Sequence, residues 1–548
     1  MLATPDETAE EQAAAAPSGA APGSPPSSSA ATAGRGFLVI TAAKLWFMVG
    51  GAAITFGLPF LFGSRLYGPG ADGKALYGQY VDLNNTLSIL SMVMVTGVMQ
   101  AVAKFVSEAP DRAGGVVRQA RAMMLVVGAL VGGGFILAAP WIAGARNNAD
   151  LVNGYRAAGV ILFCYGLYTV FIGTLNGRKL FLRQALFDIA FTSIKAVLVL
   201  GAAAAGLGVI GAFGGFATAA LAIMLLAAWR VGRELGAGPK NPRLYAFAAQ
   251  VMLYTLIFNV VFKLDVLLFK PAAVALYAPV VDWLPAGGPL LSWMRDRAVE
   301  ASADGLLGVY GLALNVSRLP WQATIAITFV VFPMVSEATF AADRARTHLY
   351  IRQTLRYSML LVGAAVVVLT AVPQAIIGLL PSGFGQAVIA LAWLAPAYFF
   401  FSLFNVVNTL LMSAGRATAA LVIGCVTVGL AGLLYLTVLP GATDAADLLT
   451  RTGACTLGAF VVGLGIGVAV LWRNYGPPFP LGTSLRVLGI GAALIVAGRF
   501  VPSAGPVLNL ALAAGVAVAF VAGLVLTREF GPEDKARLLR VVRRGRPA

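Results

Sequence analysis

Lys44, Lys104, Lys195, Lys263 and Arg318 stand inside long apolar runs of this 548-residue sequence, with Asp188 and Asp265 as the acids counted against them. An ionised side chain at the centre of a bilayer costs at least about 2.5 to 3.5 kcal/mol on insertion scales, so each needs a partner or a wet cavity. Five cations cannot all be neutralised by two acids. The surplus positive charge suits an anionic ligand, whose own removal from water is otherwise costly. Lys44, Lys195, Arg318 and, nearer a helix end, Lys263 are therefore the candidate substrate-binding residues. Lys104 lies a turn from the end of its run and is expected to snorkel. Asp188 lies seven residues from Lys195 on the same helical face. With Asp265 it is a candidate for ion coupling, or else for neutralising nearby lysines as buried glue.

No enzyme signature accompanies these residues. The sequence has no phosphate loop, no HExxH, no CxxC and no nucleophile elbow between strand and helix. Its one histidine, His348, stands in a polar connector, and its three cysteines, Cys164, Cys425 and Cys455, each lie in an apolar run. No metal site and no cofactor are expected.

The elements that must position the ions are membrane helices. The chain is 59% hydrophobic and 11% charged, with a mean hydropathy of +0.84, against about 25% charged residues in an average soluble domain. Apolar runs near 37–62, 80–105, 122–143, 155–176, 185–206, 208–229, 246–269, 306–335, 357–380, 386–412, 418–439, 453–472, 486–501 and 507–527 predict an all-α polytopic membrane protein of about 14 transmembrane helices. The formal charge of +16 is spread over short connectors rather than gathered on one soluble face, so nucleic acid is not the expected partner. Lysines and arginines are concentrated in the connectors on the side of both termini. Arg146, Lys270, Asp82 and Asp304 are assigned to the opposite side. That bias predicts a cytoplasmic location for both ends.

Short motifs recur along the chain. Tyr77-Gly78 and Val106-Ser107-Glu108-Ala109 return as Tyr310-Gly311 and Val335-Ser336-Glu337-Ala338, and Gly177-Arg178 returns as Gly415-Arg416. They predict two six-helix halves, 35–243 and 244–473, related by a pseudo-two-fold along the membrane normal, with two further helices in 474–527. Residues 1–34 read as a disordered tail, 528–548 as a basic tail for anionic headgroups, and 271–305 as an outer insertion carrying a short amphipathic surface helix. Gly50, Gly51 and Pro59 are candidate hinge positions in the first helix.

The motifs Leu76-Tyr77-Gly78, Phe105-Val106-Ser107-Glu108, Leu175-Asn176-Gly177-Arg178, Lys263-Leu264-Asp265 and Gly308-Val309-Tyr310-Gly311-Leu312-Ala313 before Arg318 resemble those of the O-antigen-type polysaccharide flippases. These belong to the multidrug, oligosaccharidyl-lipid and polysaccharide exporter superfamily. The resemblance spans residues 37–527. It implies two bundles rocking about a basic cavity and an undecaprenyl-pyrophosphate-linked oligosaccharide as substrate. It also implies polysaccharide assembly proteins as partners beside membrane lipids, and in some members coupling to an ion gradient. The arginine-rich start to the first helix expected of a lipid II flippase is absent. A drug or cation antiporter of the same superfamily, and a membrane glycan polymerase or ligase, are the alternatives.

Overall fold

The computed structural model describes residues 28–63, 67, 72–108, 113–233, 238–279, 288–501 and 505–531. Sixteen α-helices and no strand occur among the described residues. In hydrocarbon a spanning segment must satisfy its backbone donors and acceptors internally, and continuous helix is the form that does so.

The first six helices are α1 (Ser28–Phe62), α2 (Gly73–Glu108), α3 (Gly114–Ala145), α4 (Val152–Gly177), α5 (Phe181–Ala204) and α6 (Gly208–Gly232). They pack as one group, with α3 and α2 on α4, α1 on α5, and α4 and α5 on α6. Then come α7 (Arg243–Tyr277), α8 (Gly288–Ser317), α9 (Leu319–Phe340), α10 (Arg344–Ala371), the short α11 (Pro373–Ile377), α12 (Ala387–Ser413), α13 (Ala417–Val438) and α14 (Ala445–Tyr475). Here α12 packs on α14, and α10 on α9 and α12. Helices α15 (Leu481–Gly498) and α16 (Pro506–Leu526) dock on α10. Among the described residues, twelve helices are long and apolar enough to cross a membrane. With α7 and the α8–α9 pair, this agrees with the expectation of about fourteen crossings.

The structure departs from the sequence reading in four places. Residues 28–34 are the first turns of α1, and residues 1–27 lie outside the described residues, as do most of the basic tail and part of the insertion, including Trp283 and Leu284. The rest of the insertion makes no separate surface helix. Residues 271–277 extend α7, and 288–305 are the first turns of α8, continuous with its buried part. The single run 306–335 is interrupted at Arg318, because Pro320 in the first turn of α9 has no N–H to continue the ladder. The match of Gly177 with Gly415 fails in register. Gly415 caps α12 with φ +77°, whereas Gly177 lies inside α4, where a Cβ would stand 2.7 Å from Val106. The left-handed position after α4 is taken by Lys179.

Tyr77-Gly78 and Tyr310-Gly311 do have related roles. They lie on the facing surfaces of α2 and α8, where the first turns of α2 meet residues 304–311 of α8 toward the end of the bundle remote from the start of α1, here called the distal end. A Cβ on Gly78 would stand 1.7 Å from the Asp304 carbonyl, and one on Gly308 2.2 Å from that of Lys74. Only glycine permits this approach. Helix α7 also lies along α2, so the first group of helices is joined to the second through α2, α7 and α8.

Candidate functional site

Between α1, α2, α5, α7 and α8 lies a partly open cavity of about 610 Å³, the solvent at its mouth included. Lys195 reaches it from α5, Lys263 from α7, and Arg318 from the junction of α8 and α9. Three of the four residues expected to bind substrate therefore converge. Lys44 lies in α1, but its side chain is outside the described residues. No aspartate or glutamate lines the cavity among the described residues.

The three cations differ in their surroundings. Lys195 Nζ stands 3.8 Å from the centroid of the Phe216 ring, a cation-π contact that supports the ammonium without neutralising it. Lys263 has no carboxylate within 4 Å among the described residues, while its own carbonyl accepts a 3.4 Å bond from Asn85 Nδ2. Arg318 is held more firmly. Its Nε donates to Tyr398 Oη at 2.7 Å, and its terminal nitrogen donates to the Phe262 carbonyl at 3.1 Å and lies 3.7 Å from Asp265. Asp265 in turn accepts from Tyr310 Oη at 3.1 Å and from the Val266 amide at 2.8 Å. It borders a separate pocket of about 420 Å³ with Tyr398, Tyr435 and Thr456. Asp265 is therefore behind the cavity wall, on the far side of Arg318.

The other singled-out residues are dispersed. Asp188 is half-buried on α5, two turns from Lys195, and does not line the cavity. Lys104 is exposed and lies 4.2 Å from the Phe247 ring centroid. Gly51 lines the cavity with nothing near its absent Cβ, whereas Gly50 sits where a Cβ would come 2.2 Å from Thr192, a close α1–α5 contact. Pro59 lies inside α1 and offers no N–H to the carbonyl of Thr55, another cavity residue.

Neutral polar residues complete the site, and the charge-based reading passes them over. Asn84, Asn85, Asn315 and Tyr80 line the cavity beside the cations. Their signal is the repeat: Asn315 and Arg318 follow Asp82 and Asn85 by the same 233 residues that separate Tyr77 from Tyr310.

Asp82, Arg146, Lys270 and Asp304 were expected in outer connectors. The structure instead gathers them in a cluster above the cavity, where Asp82 and Asp304 are 0% exposed and Lys270 1%, with Arg146 half-buried beside them. Lys270 Nζ lies 3.3 Å from Asp82 and 2.8 Å from Asp304, and Arg146 is bonded to Asp82. Their burial follows from helices that extend beyond the apolar runs, so that Asp82, Lys270 and Asp304 lie well inside α2, α7 and α8.

Residues 73–277 match the model of a family described as "Polysaccharide biosynthesis protein". No curated protein matches the sequence. Among solved structures, the lipid II flippase MurJ in an inward closed conformation is 11% identical, with a TM-score of 0.64, covering 90% of this chain and 99% of that one. An inward-facing multidrug resistance MATE transporter of the MOP superfamily is 12% identical, with a TM-score of 0.56 over 80% of this chain and 99% of its own. A MOP-superfamily transporter from Pyrococcus furiosus, described as having a binding pocket of reverse polarity, is 14% identical, with a TM-score of 0.52 over 80% and 95%. The shared fold is that of the MOP-superfamily transporters, in agreement with the resemblance carried by the short motifs.

Proposed function

We propose, from a chain built on the MOP-superfamily transporter fold, that it is a flippase for a lipid-linked oligosaccharide carried on undecaprenyl pyrophosphate. It would move this substrate from the inner to the outer leaflet of a bacterial cytoplasmic membrane by alternating access. The observation that carries this reading is the cavity itself: Lys195, Lys263 and Arg318 converge in it and no carboxylate lines it among the described residues. A diphosphate cannot cross hydrocarbon without replacement of its hydration, and cations fixed in a low-dielectric wall supply that replacement. The lipid tail stays in the bilayer while the head passes between the helix groups.

Two other superfamily activities fit less well. A carrier of organic cations calls for acidic groups in the cavity, and no carboxylate lines it among the described residues. A lipid II flippase shares the fold, as MurJ does, and its substrate would present the same diphosphate, but the first helix lacks the arginine-rich start expected of such a flippase. The discriminating experiment is depletion of the protein followed by leaflet-resolved analysis of lipid-linked intermediates. Accumulation of oligosaccharide diphosphates on the inner leaflet is the expected result. Accumulation of lipid II instead would select the second activity, and no accumulation of either would overturn the flippase reading. Coupling to a proton or sodium gradient would run through Asp265, whose carboxylate shares Arg318 with the cavity, in preference to Asp188.

A further inference from the structure

The buried cluster at the distal end joins the two helix groups. Asp82 belongs to α2 and Arg146 follows α3, whereas Lys270 belongs to α7 and Asp304 to α8. The bonds crossing between groups are Lys270 to Asp82 at 3.3 Å, Asn148 Nδ2 to Asp304 at 2.8 Å, and Arg146 to the Leu267 carbonyl at 3.1 Å. That last carbonyl is available because Pro271, four residues on, has no N–H to give it. Two acids and two bases leave the cluster neutral, and Tyr155 Oη adds a 3.4 Å contact to Asp82. The cluster is thus occupied by its own groups and is no site for an ion.

Its height in the bundle is the informative feature. Lys270 lies one turn beyond Val266, and Asp304 two turns beyond Gly311, both of which line the cavity. Between the cavity and the distal end, the helices are further sealed by the backbone contact of Gly78 with Asp304 and Gly308. Opening the cavity to that side requires α2 to leave α7 and α8, which separates Asp82 from Lys270 and Asn148 from Asp304.

We propose that Asp82, Arg146, Lys270, Asp304 and Asn148 form an ion-pair latch that keeps the cavity closed at the distal face and must part for the substrate head to leave there. A buried pair in low dielectric is strong while intact and is exchanged for water when the groups separate. The latch therefore has two stable arrangements, paired and hydrated, as a two-state gate needs. These are positioning residues; they do not line the cavity. The inference rests on the transporter reading of the cavity, although its test needs no lipid-linked substrate.

The test places a reporter cysteine in the cavity, Asn84→Cys, in the full-length chain with Cys164, Cys425 and Cys455 replaced by serine. A membrane-impermeant maleimide is applied to either face of the membrane. Lys270→Met combined with Asp304→Asn removes one charge of each sign and leaves the Asp82–Arg146 pair intact. Labelling from the face opposite the termini should quicken about tenfold. Arg297→Ala, which breaks the exposed Arg297–Asp150 pair at the same end, should leave it unchanged. Asn148→Ala strands no charge and carries the same comparison if the double variant does not reach the membrane. Distal labelling at the parent rate in both folded variants, or an equal rise from both faces, overturns the latch. Either result leaves the flippase reading standing, because that reading falls only on the lipid analysis described above.

Discussion

Arg318 lies 3.7 Å from Asp265, its guanidinium in the wall of the cavity and the carboxylate behind it. The pair is stretched beyond hydrogen-bond length, and the arginine is steadied by Tyr398 and the Phe262 carbonyl. On the proposed reading, a phosphate entering the cavity would meet Arg318 without first breaking a tight ion pair. Asp265→Asn should strengthen binding of a diphosphate lipid several-fold, since the carboxylate no longer competes for the guanidinium. Titration of purified protein in detergent with the diphosphate checks this. Weaker binding would mean that Asp265 serves only to hold Arg318 in place.

Lys195, Lys263 and Arg318 should each matter on their own. Replacement by alanine removes one charge-assisted contact, worth about 1.5 to 3 kcal/mol, so affinity should fall by roughly ten- to a hundred-fold per residue. Replacement by glutamate should abolish export while the protein still reaches the membrane. Unaltered diphosphate binding in all three alanine variants would remove the basis of the functional reading.

The α2–α8 contact supplies a stability comparison. Gly78→Ala forces a methyl group to within 1.7 Å of a backbone carbonyl, and backbone cannot rotate away. It should lower stability by about 1 to 3 kcal/mol or more. Gly51→Ala, with nothing near its Cβ, should leave the melting temperature in detergent unchanged. Equal effects of the two would mean that the helices do not approach as described.

Glu529, just after α16, is 3% exposed. It accepts from Arg356 of α10 and from Thr483 and Arg486 of α15, at 2.7, 2.6 and 2.7 Å. Burial alone would raise its carboxyl pKa, but the bonds from Thr483, Arg356 and Arg486 outweigh it and hold the value below the usual 4.5. A depressed folded value stabilises the fold above the unfolded pKa and is lost as pH falls through the folded one. Docking of α15 and α16 should therefore weaken in acid, at pH below about 4.5. Glu529→Gln should remove that dependence, as proteolysis of the α14–α15 connector across pH would report.

The sequence makes the cations legible because charge inside an apolar run is conspicuous and costly. It makes the helices legible because hydrocarbon demands long apolar runs. Asn84 and Asn315 escape notice because an uncharged amide carries no comparable penalty signal. Asp82 and Asp304 escape because they fall near run ends, where a charge is ordinary, and their burial depends on α2 and α8 meeting at Gly78 and Gly308. The break at Arg318 is foreshadowed by Pro320, but not the choice of Arg318 as the junction. The bonds that Arg318 makes there to Phe262 and Tyr398 depend on packing between distant helices, which the local sequence does not display.

That junction has a mechanical consequence. Helix α8 is 30 residues long and α9 is 22, rods of about 45 and 33 Å. A reorientation of about 5° at their meeting point swings the remote tip of the longer rod by about 4 Å, enough to undo a hydrogen bond. On the proposed reading, the guanidinium that would grip a phosphate sits at that meeting point, so cargo pulling there would be magnified at the membrane faces.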